Sequence, residues 1–140
     1  MEVDSMVVYL VVDDNNGLMF NSRRQSQDKI LRENILQDCV NKTLWMNEYT
    51  ETQFIPYVDS NIIVDNDFLN KAKDDAICFV ENEHLVNYKE KISKIVMYKW
   101  NRDYPADFYF DIDLSDWKMM SSTEFVGNSH DKITKEIWVK

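Results

Sequence analysis

Met6-Val7-Val8-Tyr9-Leu10-Val11-Val12, then Asp13-Asp14-Asn15-Asn16-Gly17-Leu18-Met19-Phe20-Asn21, then Lys29-Ile30-Leu31-Arg32-Glu33-Asn34-Ile35-Leu36 is the stretch whose reading decides the fold. The first segment is an unbroken apolar run, the pattern of a parallel strand buried on both faces. The second is a polar loop with one glycine. The third reads as a helix. A polar loop between a central strand and a helix is where α/β proteins place their ligands.

The chain has 140 residues, a length suited to one domain (residues 1–140) with a core that needs neither disulfides nor metal. Its two glycines and two prolines argue against flexible linkers and glycine-rich phosphate loops. A net charge of −9 repels nucleic acid and anionic membranes, so neither is expected as a partner. The densest basic cluster is Arg23-Arg24, extended by Lys29 and Arg32. Such a pair is ordinarily solvated surface, yet beside a ligand loop it could hold a carboxylate or phosphate. Cys39 and Cys78 fit no disulfide framework or metal-ligand spacing and read as reduced thiols in or near the core. With an acidic Met1-Glu2-Val3-Asp4 start and no membrane-spanning apolar run, the expected location is the cytoplasm.

Outward from the opening unit, strands are expected at 42–46, 61–65, 76–80 and 94–100. Helical segments are expected at 48–53, capped by Asn47, at 67–74 and at 83–92, with a proline connector at 54–57. Residues 103–113 are acidic and aromatic. Segments 117–125 and 132–139 read as antiparallel strands around a turn at Asn128-Ser129-His130-Asp131, with an irregular apolar pattern in the last strand that suggests a bulge. The order predicts an α/β three-layer sandwich with a mostly parallel central sheet and a C-terminal antiparallel hairpin.

This order resembles dihydrofolate reductase in a divergent, shortened form. The likeness is best at the ends: Val11 to Met19 resembles that family's first strand and active-site loop, and Ala106-Asp107-Phe108-Tyr109-Phe110 with Leu114-Ser115-Asp116-Trp117-Lys118 resembles the segment leading into its last hairpin. The resemblance implies an acidic residue at the start of the helix after the glycine loop, supporting substrate protonation. Allowing a one-residue deletion, Asp28 falls there. A partly desolvated carboxylate with a raised pKa would suit that role. A carboxylate in a helix's first turn is also favoured by the helix dipole alone.

The cleft implied by the resemblance would be lined by Asp14, Asn16, Gly17, Arg23, Arg24, Gln25 and Ser26. Reductases place tryptophan and proline before the acidic residue. The polar run Arg23-Arg24-Gln25-Ser26-Gln27 suits a small polar or anionic ligand instead.

On the cofactor side Thr50 matches the family, but Glu48 stands where an arginine is implied. Glu81-Asn82-Glu83 replaces a paired glycine that would admit the NADPH pyrophosphate. Each charge reversal is worth on the order of a few kcal/mol in a partly solvated site. The expected cofactor is therefore none.

Two functions fit: a non-catalytic member binding a polar ligand or another protein, or a divergent oxidoreductase acting on a pterin-like or other small polar substrate through Asp28. His84 reads as a helix-face residue. His130 beside Ser129 and Asp131 is discounted as a nucleophile set, because neighbours in a turn rarely face one another. The aspartates of residues 103–116 lack the spacing of a calcium loop, and no metal site is expected.

Overall fold

A computed structural model describes residues 6–54, 61–73 and 75–140. The acidic start, most of the proline connector and the end of the 67–74 helix lie outside those residues.

The opening unit folds as its pattern dictates. β1 (Met6–Val12) is a parallel strand at the centre of a seven-stranded sheet. Val8, Leu10 and Val12 enter one apolar cluster, and Tyr9 enters the cluster on the opposite face. The loop after it is more ordered than expected. β2 (Gly17–Phe20) and β3 (Arg23–Arg24) form a small hairpin, joined by β8 (Phe108–Tyr109) into a second, three-stranded sheet. α1 (Lys29–Asp38) follows.

The large sheet is completed by β4 (Leu44–Met46), β5 (Ile62–Val64), β6 (Ile77–Phe79), β7 (Ile92–Lys99), β9 (Lys118–Phe125) and β10 (Ile133–Val139), in the order β5-β4-β6-β1-β7-β10-β9. Pairs among β5, β4, β6, β1 and β7 are parallel, and β10 is antiparallel to both β7 and β9. α2 (Glu48–Phe54) and α3 (Phe68–Lys71) are the other α-helices among the described residues. Leu31 and Ile35 of α1 and Phe54 of α2 pack on one face, Phe68 and Leu69 of α3 on the other. The sheet is thus the middle layer of three, as expected.

Asn47 caps α2 as expected, its Oδ1 accepting from Thr50 N at 2.9 Å. Two expectations change. Residues 83–92 hold only a short 3-10 turn, Val86–Tyr88, not a helix. The N–H groups of Leu85 and Val86 are claimed by the Asp111 carboxylate at 2.9 and 3.3 Å, and Ile92 already belongs to β7. His84 is therefore a loop residue, packed against the Phe108 ring. The hairpin irregularity exists, but its extra residue, Met120, lies on β9: Ile137 faces Ser121 and Trp138 faces Met119.

Because β4, β6, β1 and β7 are parallel, their carboxyl ends share one edge of the sheet. Asn47, Val80-Glu81, Asp13 and Trp100 emerge there, beside the start of α1.

Candidate functional site

Asp28 is the N-cap of α1, with extended backbone and a side chain that is 0% exposed. Its Oδ1 accepts from Ile30 N (2.9 Å), Leu31 N (3.2 Å) and Asn128 N (2.9 Å). Its Oδ2 accepts from Ser129 N (2.8 Å), Ser129 Oγ (3.2 Å) and His130 Nδ1 (3.0 Å). These donors occupy both oxygens. Burial alone would push the carboxyl up, but the hydrogen bonds from Asn128, His130, Ser129 and Leu31 outweigh it and hold Asp28 well below the usual carboxylate range. The raised pKa expected from the sequence is thus reversed.

Those bonds draw the β9–β10 turn against the helix start. Gly127 makes that approach possible: a Cβ there would lie 2.6 Å from Asp28 Oδ2 and 2.8 Å from Ile133 Cδ1.

His130, also buried, has its ring stacked on Trp100 at 4.3 Å and 24°. With Nδ1 donating to Asp28, Nε2 is left as acceptor, and two hydroxyls reach it: Ser26 Oγ at 3.2 Å and Tyr104 OH at 3.1 Å. Ser26, His130 and Asp28 thus form one hydrogen-bonded series across three separate parts of the chain. Ser129 Oγ does reach the neighbouring His130, at 3.2 Å from Nδ1.

Arg24 crosses the cleft. Its Nε and Nη2 donate to the two Glu81 oxygens at 2.9 and 3.1 Å, and Nη2 also reaches Tyr49 O and Thr52 Oγ1, each at 3.2 Å. The guanidinium lies 4.5 Å over the Tyr49 ring, whose hydroxyl accepts from Arg24 N at 2.7 Å. The bridge joins β3 to the end of β6 and to α2.

Asp13, buried at the end of β1, shapes the glycine loop. Its Oδ1 accepts from Asn15 N and Gly17 N, and its Oδ2 from Gln25 Nε2 and Tyr104 N. Gly17 is required by crowding, since a Cβ would meet Ala106 Cβ at 2.6 Å and Gln25 Nε2 at 2.7 Å.

Arg24, Gln25, Ser26 and Asp28 line one cavity with Glu81, Gln53 and the apolar side chains of Leu18, Leu31, Phe79 and Trp100. Its volume is about 20 Å³, room for about one water. Gln25 Oε1 is buried without a hydrogen-bond partner among the described residues.

Of the expected site residues, those four meet at the cavity, and Gly17 stands behind Gln25. Asp14, Asn16 and Arg23 are exposed. Thr50 is buried in the first turn of α2, outside this cavity, and its hydroxyl has no hydrogen-bond partner among the described residues. Sequence reading missed His130, Tyr104, Trp100 and Asp13, and it took Glu81 only as a lesion in a cofactor site. Nothing local in the sequence connects His130 to Asp28, 102 positions away. Among the described residues no three His, Cys, Asp or Glu side chains come together as metal ligands, and no helix is long and apolar enough to cross a membrane.

No family model and no curated protein matches the sequence. Among solved structures, the fold is similar to a dihydrofolate reductase from Enterococcus faecalis complexed with NADP(H) and RAB-propyl. The TM-score is 0.69 over 98% of this chain and 96% of that one, at 9% identity. Element order, sheet topology and that end-to-end likeness agree that the chain has the dihydrofolate reductase fold.

Proposed function

We propose that this protein is a non-reductase of the dihydrofolate reductase fold whose cleft takes a small anionic ligand at Arg24. The observation that carries the reading is the bidentate Arg24–Glu81 pair, which fills the cleft between β3 and β6. A guanidinium fork matches a carboxylate or phosphate with two coplanar oxygens, and Glu81 presents that group from within the chain. A ligand anion binds by taking the place of the Glu81 carboxylate, with Tyr49 O and Thr52 Oγ1 still holding the guanidinium. Because the ligand competes with an intramolecular carboxylate, affinity for a simple anion is weak.

NADPH suits these residues poorly. The structural relative binds NADP(H), but here Glu81 and Glu83 follow β6, Asn47 Nδ2 donates to Asn82 Oδ1 at 2.7 Å across that end, and Arg24 is already committed to Glu81. Asp28 has no free oxygen for a pterin ring.

The test is titration of the purified protein with NADPH, following tryptophan quenching, and with inorganic phosphate, following thermal stability. No saturable NADPH signal up to about 1 mM is expected. Phosphate raises the Tm of the Glu81→Gln variant by more than that of the wild type, because the substitution frees Arg24. Micromolar NADPH binding overturns the reading and restores a divergent reductase; an equal phosphate response in both proteins removes the Arg24 site.

A further inference from the structure

The series Ser26–His130–Asp28 goes beyond that binding site and does not rest on it. We propose that Ser26 is a nucleophile, with His130 as its general base and Asp28 as the anion that orients and stabilises the imidazole, in an acyl-transfer site selective for acetyl-sized groups.

Geometry supplies the roles. Ser26 Oγ lies 3.2 Å from His130 Nε2, and His130 Nδ1 lies 3.0 Å from Asp28 Oδ2. A serine, imidazole and carboxylate linked in that order are recognised by geometry and not by sequence order. Asp28 is kept ionised by backbone donors from both the helix start and the hairpin turn, so it stabilises an imidazolium without taking its proton. The Trp100 stack fixes the ring plane. Ser26 and Asp28 line the cavity, and that cavity admits nothing larger than about a water or a methyl group.

Chemistry then follows in two balanced halves. Ser26 Oγ bonds to the acyl carbon, its proton passes to His130 Nε2, and the ester C–O bond breaks as His130 returns that proton to the departing alcohol. Water, deprotonated by the same nitrogen, attacks the acyl-serine, the Oγ–acyl bond breaks, and Ser26 recovers its proton as the carboxylic acid leaves. Tyr104 OH lies 3.1 Å from the same Nε2, whose one lone pair accepts from one hydroxyl at a time, from Ser26 in the reactive state. A purely structural network explains Asp28 and His130 equally well, but gives Ser26 no reactivity. The experiment turns on that difference.

Protein would be incubated with p-nitrophenyl acetate and p-nitrophenyl butyrate, with nitrophenolate release timed and the acylated residue located by peptide mass mapping. The inference requires acetylation on Ser26 and loss of that release in Ser26→Ala at unchanged Tm. It also requires butyrate to react at least about tenfold more slowly, the effect of excess methylenes in a closed pocket. Acetylation confined to lysines or the N-terminus, release unaffected by Ser26→Ala, or equal rates for the two esters overturns it. A second variant reads His130 without disturbing the buried imidazole. Ser26→Cys places a thiol in the same position, and base activation makes it react with iodomethane, whose methyl group the cavity admits, at pH 7 faster than a free cysteine, whose pKa is about 8.5. A rate equal to or below that of the free thiol overturns the general-base role.

Discussion

Asp28 shows how one residue type at one position carries two incompatible expectations. Its place before an apolar helical repeat makes it legible as a carboxylate at a helix start. The direction in which that carboxylate turns was not legible, because Asn128, Ser129 and His130 reach it from about a hundred positions away. Desolvation raises a carboxyl pKa only when donors do not follow it into the interior. Here they do, from two sides. Asp28→Asn keeps an acceptor for α1 but turns an amide toward the donors of the hairpin turn. Loss of the cap contribution and the stranding of buried N–H groups predict destabilisation of about 2–4 kcal/mol in urea unfolding. Asp107→Asn, at an exposed acid that accepts one bond from Asn21 N, serves as the control and changes stability by less than about 1 kcal/mol. A loss below about 1 kcal/mol in Asp28→Asn would show that the turn does not depend on this carboxylate.

Among the elements, the long apolar strands were readable and the short polar pieces were not. β1, β6 and β7 announce themselves through runs that only a sheet covered on both sides can bury. The 83–92 segment carries Leu85, Tyr88 and Ile92 at helical spacing, yet Asp111 claims two of its N–H groups, and its last apolar residue is the first of a strand. Periodicity over ten residues does not reveal a competing acceptor elsewhere in the chain. Likewise Arg24 and Glu81 were each legible as charges near a cleft, but their pairing needs β3 to lie against the end of β6. That pairing has a measurable signature. Both side chains are largely buried, at 17% and 10% exposure. Glu81→Gln leaves the guanidinium with a neutral partner and should cost about 2–4 kcal/mol, while Arg24→Met combined with Glu81→Leu should recover at least half of that loss. Urea midpoints of the single and double variants check the ordering. A double variant less stable than Glu81→Gln would mean that Arg24 holds the small sheet to α2 chiefly through Tyr49 and Thr52.

For the molecule as a whole, two electrostatic effects act in opposite directions with pH. Twenty-five acidic side chains against sixteen basic ones give −9 at neutral pH, and the pI is about 4.6. Self-repulsion therefore relaxes as the solution is acidified from pH 7 toward 5, which favours the compact state. Asp28 works the other way. Its folded pKa lies below its unfolded value, so its contribution is complete above about pH 5 and drains away as the pH falls below about 4. Asp65, half-buried and held low by Lys71, and Asp113, exposed and held low by the Ser115 N–H, act in the same direction. The Tm should accordingly rise modestly between pH 7 and 5 and fall steeply below 4. Salt separates the terms: at 1 M the Debye length is about 3 Å, which suppresses surface repulsion but leaves a buried carboxylate with backbone donors nearly untouched. Calorimetry across that range in low and high salt should lose the rise and keep the fall, and Asp28→Asn should flatten the fall. A fall of equal steepness in Asp28→Asn would assign the acid limb to the dispersed surface carboxylates instead of to the buried junction of helix and hairpin.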